Sequence, residues 1–375
     1  MERRQFITAL GVGAAGALVA GCQDKTPASA PAQVAPAKNE TFEWKMVTSW
    51  PKNFPGLGTS ANYLADTITR MSGGRLKVKV YGAGELVPAL EVFDAVSQGT
   101  AQMGHSASYY WKGKAPAAQF FCAVPFGLNA QEINSWIHYG GGMELWKEVY
   151  APFGLIPTTA GNTGVQMAGW FNKEINSLED LKGLKMRIPG LGGEVLNRIG
   201  GTAVSLPGGE LFTALKTGAI DATEWVGPYN DLAFGLHQAA KYYYYPGWHE
   251  PGSAMECMIN QKAFEQLPED LQQIVMTATR AATQTMMDEL TFRNAQALDE
   301  LVNKHGVELR ELPQDAYRQL RTLSEEVVFE QAKQSDLTRR VYDSFIAFRD
   351  QIERYQSISE RAFLNGRFDT NFKAQ

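Results

Sequence analysis

The sequence is poor in the side chains that most often announce chemistry. It holds three cysteines and five histidines in 375 residues, and they fall at no zinc-binding spacing. It has no Walker-type loop, no dinucleotide-fold glycine fingerprint and no internal repeat, which sets aside nucleotide-driven chemistry and solenoid architectures. The apolar run at 9–21 falls short of the about 20 residues that a membrane span needs. Charge is nearly balanced: 35 Lys and Arg against 40 Asp and Glu give −5, and this mild acidity argues against nucleic acid as a partner. No nucleophile–base pair and no clustered set of histidines stand out, so no familiar catalytic constellation is indicated.

What the chain does have begins at its N-terminus. Met1-Glu2-Arg3-Arg4-Gln5-Phe6 precedes the small-residue apolar run, which ends in Cys22. A charged start, a short apolar core and small residues before a cleavage point describe an export signal over 1–22. Arg3-Arg4 followed by Phe6 resembles a twin-arginine signal. Val19-Ala20-Gly21-Cys22 resembles a lipoprotein box, in which the cysteine is acylated; ordinary cleavage near an unmodified Cys22 is the plain alternative. Residues 23–40, rich in Ala, Pro, Lys and Gln without an apolar period, read as a flexible linker. The expected compartment is therefore the periplasm, with a lipid anchor if Cys22 is acylated. Losing Glu2, Arg3 and Arg4 removes a net +1 and leaves about −6 on the mature chain. Cys122 and Cys257 then either pair or remain two buried thiols.

Residues 41–375 are enough for two lobes of ordinary size. Residues 42–50 alternate and end at Pro51. Residues 57–71 carry Leu57, Leu64, Ile68 and Met71 at helical spacing and stop at Gly73-Gly74. Residues 76–81 (LKVKVY) alternate strictly, 89–97 read as a helix, and 102–106 as a strand. That order predicts parallel crossovers in an α/β lobe. Ligands of such sheets sit beyond the carboxyl ends of the strands, here the loops after Trp50, Tyr81 and Ser106. Tyr109-Tyr110-Trp111 lies in the third loop. Residues 120–126 (FFCAVPF) read as a buried strand, 131–150 as one or two helices, and 155–160 and 165–171 as strands. From Pro268 onward the pattern is helical, over 270–304, 313–337 and 338–357. This is more helix than crossovers need, and suggests a brace across both lobes or an oligomer contact. Phe345, Phe348, Ile352 and Tyr355 form an apolar stripe that packs either on its own lobe or on a second copy.

Residues 161–190, GNTGVQMAGWFNKEINSLEDLKGLKMRIPG, organise the second half. Ser177 with Asp180 three positions on signals a helix start, and a short strand closes at Arg187 before Pro189-Gly190. Gln166 within a strand and Arg187 at a strand end are oddly placed polar groups. A guanidinium there can grip a carboxylate through two parallel hydrogen bonds, and an amide oxygen can complete a ligand or metal shell. A surface ion pair for Arg187 and a water-facing Gln166 are the plain alternative. Further on, AIDATEWVGPYND (219–231) places Glu224 and Trp225 at the mouth of a short strand. This suits a ligand or metal shell, or else a helix N-cap network through Asn230 or Asp231. The aromatic run 242–251 ends in a polar tip, His249 and Glu250.

Taken in order, GNTGVQ, LKGLKMRIPG, LKTGAIDATEWVGPYND and YYYYPGWHEPG resemble the extracytoplasmic solute receptors of TRAP transporters, the DctP-type binding proteins of tripartite ATP-independent periplasmic carriers. The resemblance runs over 41–367, and EWVGPYND narrows it to the α-keto-acid and lactate branch. It implies a two-lobe α/β periplasmic solute-binding fold with long bracing C-terminal helices, closing on a small organic acid. Arg187 matches the family arginine that salt-bridges the substrate carboxylate. In that branch a metal ion bridges protein and ligand, and its positions match Gln166 and Glu224 by side chain and Trp225 by backbone carbonyl. Asn162 and one of Tyr109 or Tyr110, with Tyr109 preferred, would hydrogen-bond the ligand, and Glu250 would line the pocket. The last helix resembles one exchanged between two subunits of a homodimer.

The expected function is that of a non-enzymatic receptor for a 2-oxo or 2-hydroxy monocarboxylate of the pyruvate, lactate or α-keto-acid type. The acid would be bound with Na⁺ or Ca²⁺ and delivered to the membrane permease subunits. Oxygen donors such as Gln166 and Glu224 suit these hard cations. Two rivals remain. A C4-dicarboxylate or other organic-acid receptor would need a second cation for a distal carboxylate. A periplasmic metal-dependent hydrolase or lyase would use Glu224 as base and His249 as acid.

Overall fold

The computed structural model describes residues 40–368; the expected export signal (1–22), its Cys22 and nearly all of the expected linker (23–40) lie outside them. The alternating segments pair as their period requires. β1 (Phe42–Thr48), α1 (Leu57–Met71), β2 (Leu76–Tyr81), α2 (Val92–Ser97) and β3 (Met103–Ser106) follow in order, and β2 and β3 flank β1 in parallel. α1 stops where Gly73 and Gly74 take φ of 61° and 81°, a conformation that costs glycine nothing for want of a Cβ. α3 (Ala130–Tyr139) opens on a capping box between Asn129 and Glu132. α4 (Gly142–Tyr150) follows and leads into β4 (Leu155–Asn162).

The chain then enters a second sheet through β5 (Gly169–Phe171), β6 (Lys185–Arg187), α5 (Gly190–Ile199), β7 (Thr202–Val204), α6 (Leu211–Lys216), β8 (Ala222–Thr223), α7 (Pro228–Ala233) and β9 (Tyr242–Tyr245). It returns to the first sheet as β10 (Ala254–Asn260). There follow α8 (Gln261–Glu265), α9 (Glu269–Asn303), β11 (Glu308–Glu311), α10 (Gln314–Ala332), α11 (Asp336–Ile358) and α12 (Glu360–Arg367). The sheet orders are β2-β1-β3-β10-β4 and β11-β9-β5-β8-β6-β7. Each sheet is the floor of one lobe.

Two short crossings, 163–168 and 246–253, join the sheets side by side. Their backbones bond to each other: Thr163 N donates to Ser253 O (3.1 Å), Gln166 N to Glu250 O (3.1 Å) and Gly247 N to Gln166 O (3.0 Å). This corrects the expectation of a strand over 165–171, of which only Gly169–Phe171 is strand. The alternation is real, but the donors ahead of Gly169 go to scattered partners: Gln166 N to the other crossing, Met167 N to Val226 O (3.1 Å) and Ala168 N to Tyr244 O of β9 (2.9 Å). Strand pairing therefore starts only at Gly169. The expected strand at 120–126 is also corrected: Pro116–Phe121 form a 3₁₀ turn. Phe121 stacks between Trp136 (5.3 Å) and Trp146 (5.1 Å); a short apolar run signals burial without fixing backbone type. Ser177 and Asp180 form the expected capping box, on a 3₁₀ turn. Cys122 and Cys257 are both buried free thiols.

The brace exists. α9 packs on α1 and β4 of the first lobe and on α7 of the second, burying Leu271, Val275, Ala278, Ala282, Met286 and Leu290 along its length. α10 covers α5, and α11 returns to the first lobe. There Phe345 meets Phe120 and Trp136, and Phe348 and Ile352 pack beside it. The stripe then runs off the protein: Tyr355 is 61% and Ile358 77% exposed.

Two predictions follow from the packing of the crossings and of β10. A Cβ on Gly247 would lie 2.2 Å from the carbonyl oxygen of Gln166, so Gly247→Ala should lose at least about 1–3 kcal/mol in urea unfolding, as overpacking does. Gly209→Ala, with nothing within 4 Å of its added Cβ, should be close to neutral. Glu256, buried on β10, accepts from Trp111 Nε1 (2.5 Å) and Tyr150 Oη (2.6 Å). Burial pushes its carboxyl from 4.5 up to about 7, against the pull of those donors. The folded state thus holds this proton more tightly than the unfolded chain. The resulting stability is fully present below about 4.5 and is lost as pH rises through about 7. Glu256→Gln should remove a pH-dependent term on the order of 3 kcal/mol from the wild-type curve across that window.

Candidate functional site

Parallel pairing of β6 and β8 sets Arg187 opposite Thr223, which brings the next residue, Glu224, alongside the guanidinium. Both side chains are fully buried, and Arg187 Nη1 donates to Glu224 Oε1 in a salt bridge. Arg187 Nε donates to Leu206 O (3.2 Å), and Nη2 to the Tyr110 hydroxyl (3.0 Å). The Arg187 Cζ sits 5.1 Å from the Trp225 ring centre, a favourable cation–π contact. Burial opposes the Arg187 charge, but Glu224 and the neighbouring phenols outweigh it and hold the guanidinium charged. The reading of Arg187 as a surface ion pair is therefore overturned.

The crossings bring the remaining polar groups to this pair. Gln166 Nε2 donates to Glu250 Oε2 (2.8 Å), Thr163 Oγ1 (3.2 Å) and Ser253 Oγ (3.2 Å). The carboxylate partner fixes which end of the amide is NH₂ and leaves Gln166 Oε1 buried without a hydrogen-bond partner. A water-facing Gln166 is thus also overturned. Ser253 Oγ donates to Glu250 Oε2 as well. Burial, then the charge of Glu224, push Glu250 up to about 7. His249 Nε2 stands 3.4 Å from Glu224 Oε2, outside hydrogen-bonding geometry, so both imidazole nitrogens and that oxygen lack partners.

The first lobe supplies the opposite wall. Trp50, just past β1, donates its Nε1 to His105 Nδ1 (2.8 Å), and burial lowers His105 to about 4, so it stays a neutral acceptor. The Trp50 ring meets that of Trp225 at 6.1 Å, and Phe54 stacks on Phe234 at 4.1 Å. Asn230 Nδ2 donates to Pro55 O (2.7 Å). Together with the Arg187–Tyr110 bond, these contacts join the lobes across the cleft and close it over the polar group.

Arg187, Glu224, Gln166, Glu250 and Trp225 therefore converge as expected. Tyr109 is buried beside Tyr110, with ring centres 4.7 Å apart, and burial, then Glu250, raise its hydroxyl well above the usual phenol range. It is Tyr110 whose hydroxyl touches Arg187, and burial pushes it up to about 12. Asn162 is buried but already engaged: its Oδ1 accepts from Gly164 N (2.9 Å) and its Nδ2 donates to Gly252 O (3.4 Å). Of the three expected loops, those after Trp50 and Ser106 reach the site. The loop after Tyr81 instead supports the first of them, through Ala83 N to Trp50 O (2.8 Å). His249, named beforehand only as the acid of the enzymatic rival, is part of the polar group. The one signal for it was its place beside Glu250 at the tip of the aromatic run.

The donor set fits a cation. Gln166 Oε1 and Glu224 Oε2 are buried oxygens without partners, which in a folded interior calls for a ligand. Glu224, His249 and Glu250 each offer a ligand atom within 4.8 Å of the others. The oxygens suit Na⁺ or Ca²⁺, and His249 adds one softer donor.

Residues 46–335 match the family model described as bacterial extracellular solute-binding protein, family 7. The chain is 42% identical over 365 residues, 97% of its own length and 98% of the relative's, to the monocarboxylate 2-oxoacid-binding periplasmic protein of Nostoc sp. (strain PCC 7120). Its fold matches that of a TRAP periplasmic solute-binding protein from Pseudoalteromonas atlantica with bound sodium and pyruvate, at TM-score 0.85 and 43% identity, covering 87% of this chain and 99% of that one. It also matches a TRAP transporter solute-binding protein from Bordetella bronchiseptica, a mixed-occupancy dimer with copurified calcium and picolinate, at TM-score 0.86 and 36% identity, covering 88% and 98%.

Proposed function

This chain belongs to the family of DctP-type bacterial extracellular solute-binding proteins, and on that premise we propose that it is the receptor for a small 2-oxo or 2-hydroxy monocarboxylate of the pyruvate class, bound together with Na⁺ or Ca²⁺. One observation carries the reading. Among the described residues Arg187 is the only buried lysine or arginine, and two buried oxygens without partners, Glu224 Oε2 and Gln166 Oε1, belong to its salt-bridge partner and to the crossing. A single cation matches a single carboxylate. A C4-dicarboxylate would need a second cation for its distal carboxylate, and no other buried lysine or arginine is present among the described residues.

Pyruvate and picolinate share one feature: a carboxylate next to a second donor atom, a pair that chelates one ion. In the proposed complex Arg187 takes the carboxylate, with Tyr110 and Tyr109 beside it. Gln166, Glu224 and the Trp225 carbonyl hold the ion, which bridges protein to acid and offsets the charge of Glu224. His249 is added to the site as a contact on the Glu224 side, and Glu250 holds the Gln166 amide in place. Asn162 ties the start of the first crossing, at Gly164 N, to the end of the second, at Gly252 O. Opening and closing of the lobes admits the acid, and the ligand favours the closed state by the extra affinity it has there.

The role is delivery to the permease subunits of a TRAP carrier, without turnover of the acid. Residues 1–22 would direct export, with Cys22 as lipid anchor and 23–40 as tether. The exposed end of α11 and α12, with Tyr355, Ile358 and Phe363, would pack on a second copy.

Pyruvate with Ca²⁺ or Na⁺ at about 100 times its Kd should raise Tm by on the order of 5 °C and be recovered unchanged. Arg187→Ala should abolish the shift, and Glu224→Gln should abolish its ion dependence or the whole response. A wild-type shift in Arg187→Ala would refute the anchor. In light scattering the wild type should have twice the monomer mass, and the Ile358→Glu, Phe363→Glu double variant should be monomeric with its ligand response intact. A monomeric wild type would refute the dimer.

A further inference from the structure

Away from the cleft, the 3₁₀ turn Leu236–Gln238 and the segment just past α9 bring two of the five histidines together. The ring centres of His237 and His305 lie 4.3 Å apart, with planes tilted by 39°. His237 Nδ1 is buried without a hydrogen-bond partner, and its Nε2 meets only the Gln238 side-chain amide, at 3.4 Å. His305 Nε2 stands 3.7 Å from Glu300 Oε1, too far for a hydrogen bond. Both rings border a hollow of about 380 Å³ with Asn172, Lys241 and Gly306. Burial, then the neighbouring His305 ring, lower the His237 pKa, so the imidazole keeps a free lone pair at neutral pH. Two uncharged rings gain little from each other at this spacing, and two protonated rings would repel.

We propose that His237 and His305 form a surface site for Zn²⁺ or a similar borderline divalent cation, with Glu300 as third ligand. Imidazole nitrogens select such ions over Na⁺ and Ca²⁺, so the site is chemically distinct from the oxygen-lined cleft. Two imidazoles on one tetrahedral ion, each nitrogen about 2.0–2.1 Å from it, hold their ring centres on the order of 5 Å apart. The observed ring centres, 4.3 Å apart, are near that spacing. The ligand atoms of His237, His305 and Glu300 do not all lie within 4.8 Å of one another, so an ion must draw the side chains together on binding. Glu300 reaches the ion by rotating a side chain that is 40% exposed and leaving Lys304, now 3.6 Å away. Lys241 is held at 3.1 Å by Glu308, so it adds little net repulsion. A bound ion would tie the turn at 236–238 to the C-terminal end of α9, the helix that braces both lobes.

The test is calorimetric titration of the untagged, EDTA-treated protein with ZnCl₂. The wild type should bind with micromolar affinity and a raised Tm. His237→Ala and His305→Ala should each weaken binding at least tenfold while keeping the wild-type circular dichroism spectrum, and Glu224→Gln should still bind. Absence of zinc binding in the wild type, an affinity unchanged in both histidine variants, or its loss in Glu224→Gln would overturn the site.

Discussion

A fully buried Arg187–Glu224 pair is the constraint on which the rest of the molecule depends. Removing two charges from water costs several kcal/mol each, and their attraction offsets this only when the geometry is good and the remaining donors and acceptors are satisfied. Here the donors are nearly satisfied: Leu206, Glu224 and Tyr110 all accept from the guanidinium. The acceptors are not. Glu224 Oε2 and Gln166 Oε1 are left buried without partners. That imbalance distinguishes a binding site from a structural ion pair, because it leaves oxygen ligands for a cation beside a charge that selects an anion.

The fold places this pair where the two halves meet. Arg187 ends β6 and Glu224 follows β8 in the second lobe. Trp50 lies just past β1 and Tyr110 on the 3₁₀ turn Ser108–Trp111 in the first, and Gln166, His249 and Glu250 sit on the two crossings between them. The crossings approach so closely that Gly247 has no room for a side chain. Closure is made by few contacts, aromatic at Phe54–Phe234 and Trp50–Trp225 and polar at Asn230–Pro55 and Arg187–Tyr110. A small set of contacts across a hinge suits a receptor that must release what it binds, and α9 limits the motion by packing on both lobes.

Much of this was legible beforehand, for physical reasons that differ by residue. The first lobe followed from period two and helical spacing, signals that burial on one face imposes directly. Arg187 and Glu224 stood out as charges at strand ends, and the resemblance of their flanking motifs to TRAP receptors gave them roles. Tyr110 could not be separated from Tyr109, because they sit on a 3₁₀ turn, where successive side chains diverge by about 120°, and sequence does not give its phase. His249 was undervalued because it belongs to a crossing whose partner lies some 80 residues away in sequence, about the separation of Gln166 and Glu250. Residues 120–126 misled because their burial comes from aromatic stacking rather than from a sheet. The stripe on α11 read as one surface but divides: Phe345 packs at home, while Tyr355 and Ile358 face outward.

The central claim is that one guanidinium and one cation hold the same small acid, so the two ligands must be thermodynamically linked. Calorimetric titration of dialysed protein with pyruvate, at rising Ca²⁺ or Na⁺, measures that linkage directly. The account predicts that the ion tightens pyruvate binding and that pyruvate tightens ion binding by the same factor. Pyruvate affinity that is indifferent to either ion would contradict it.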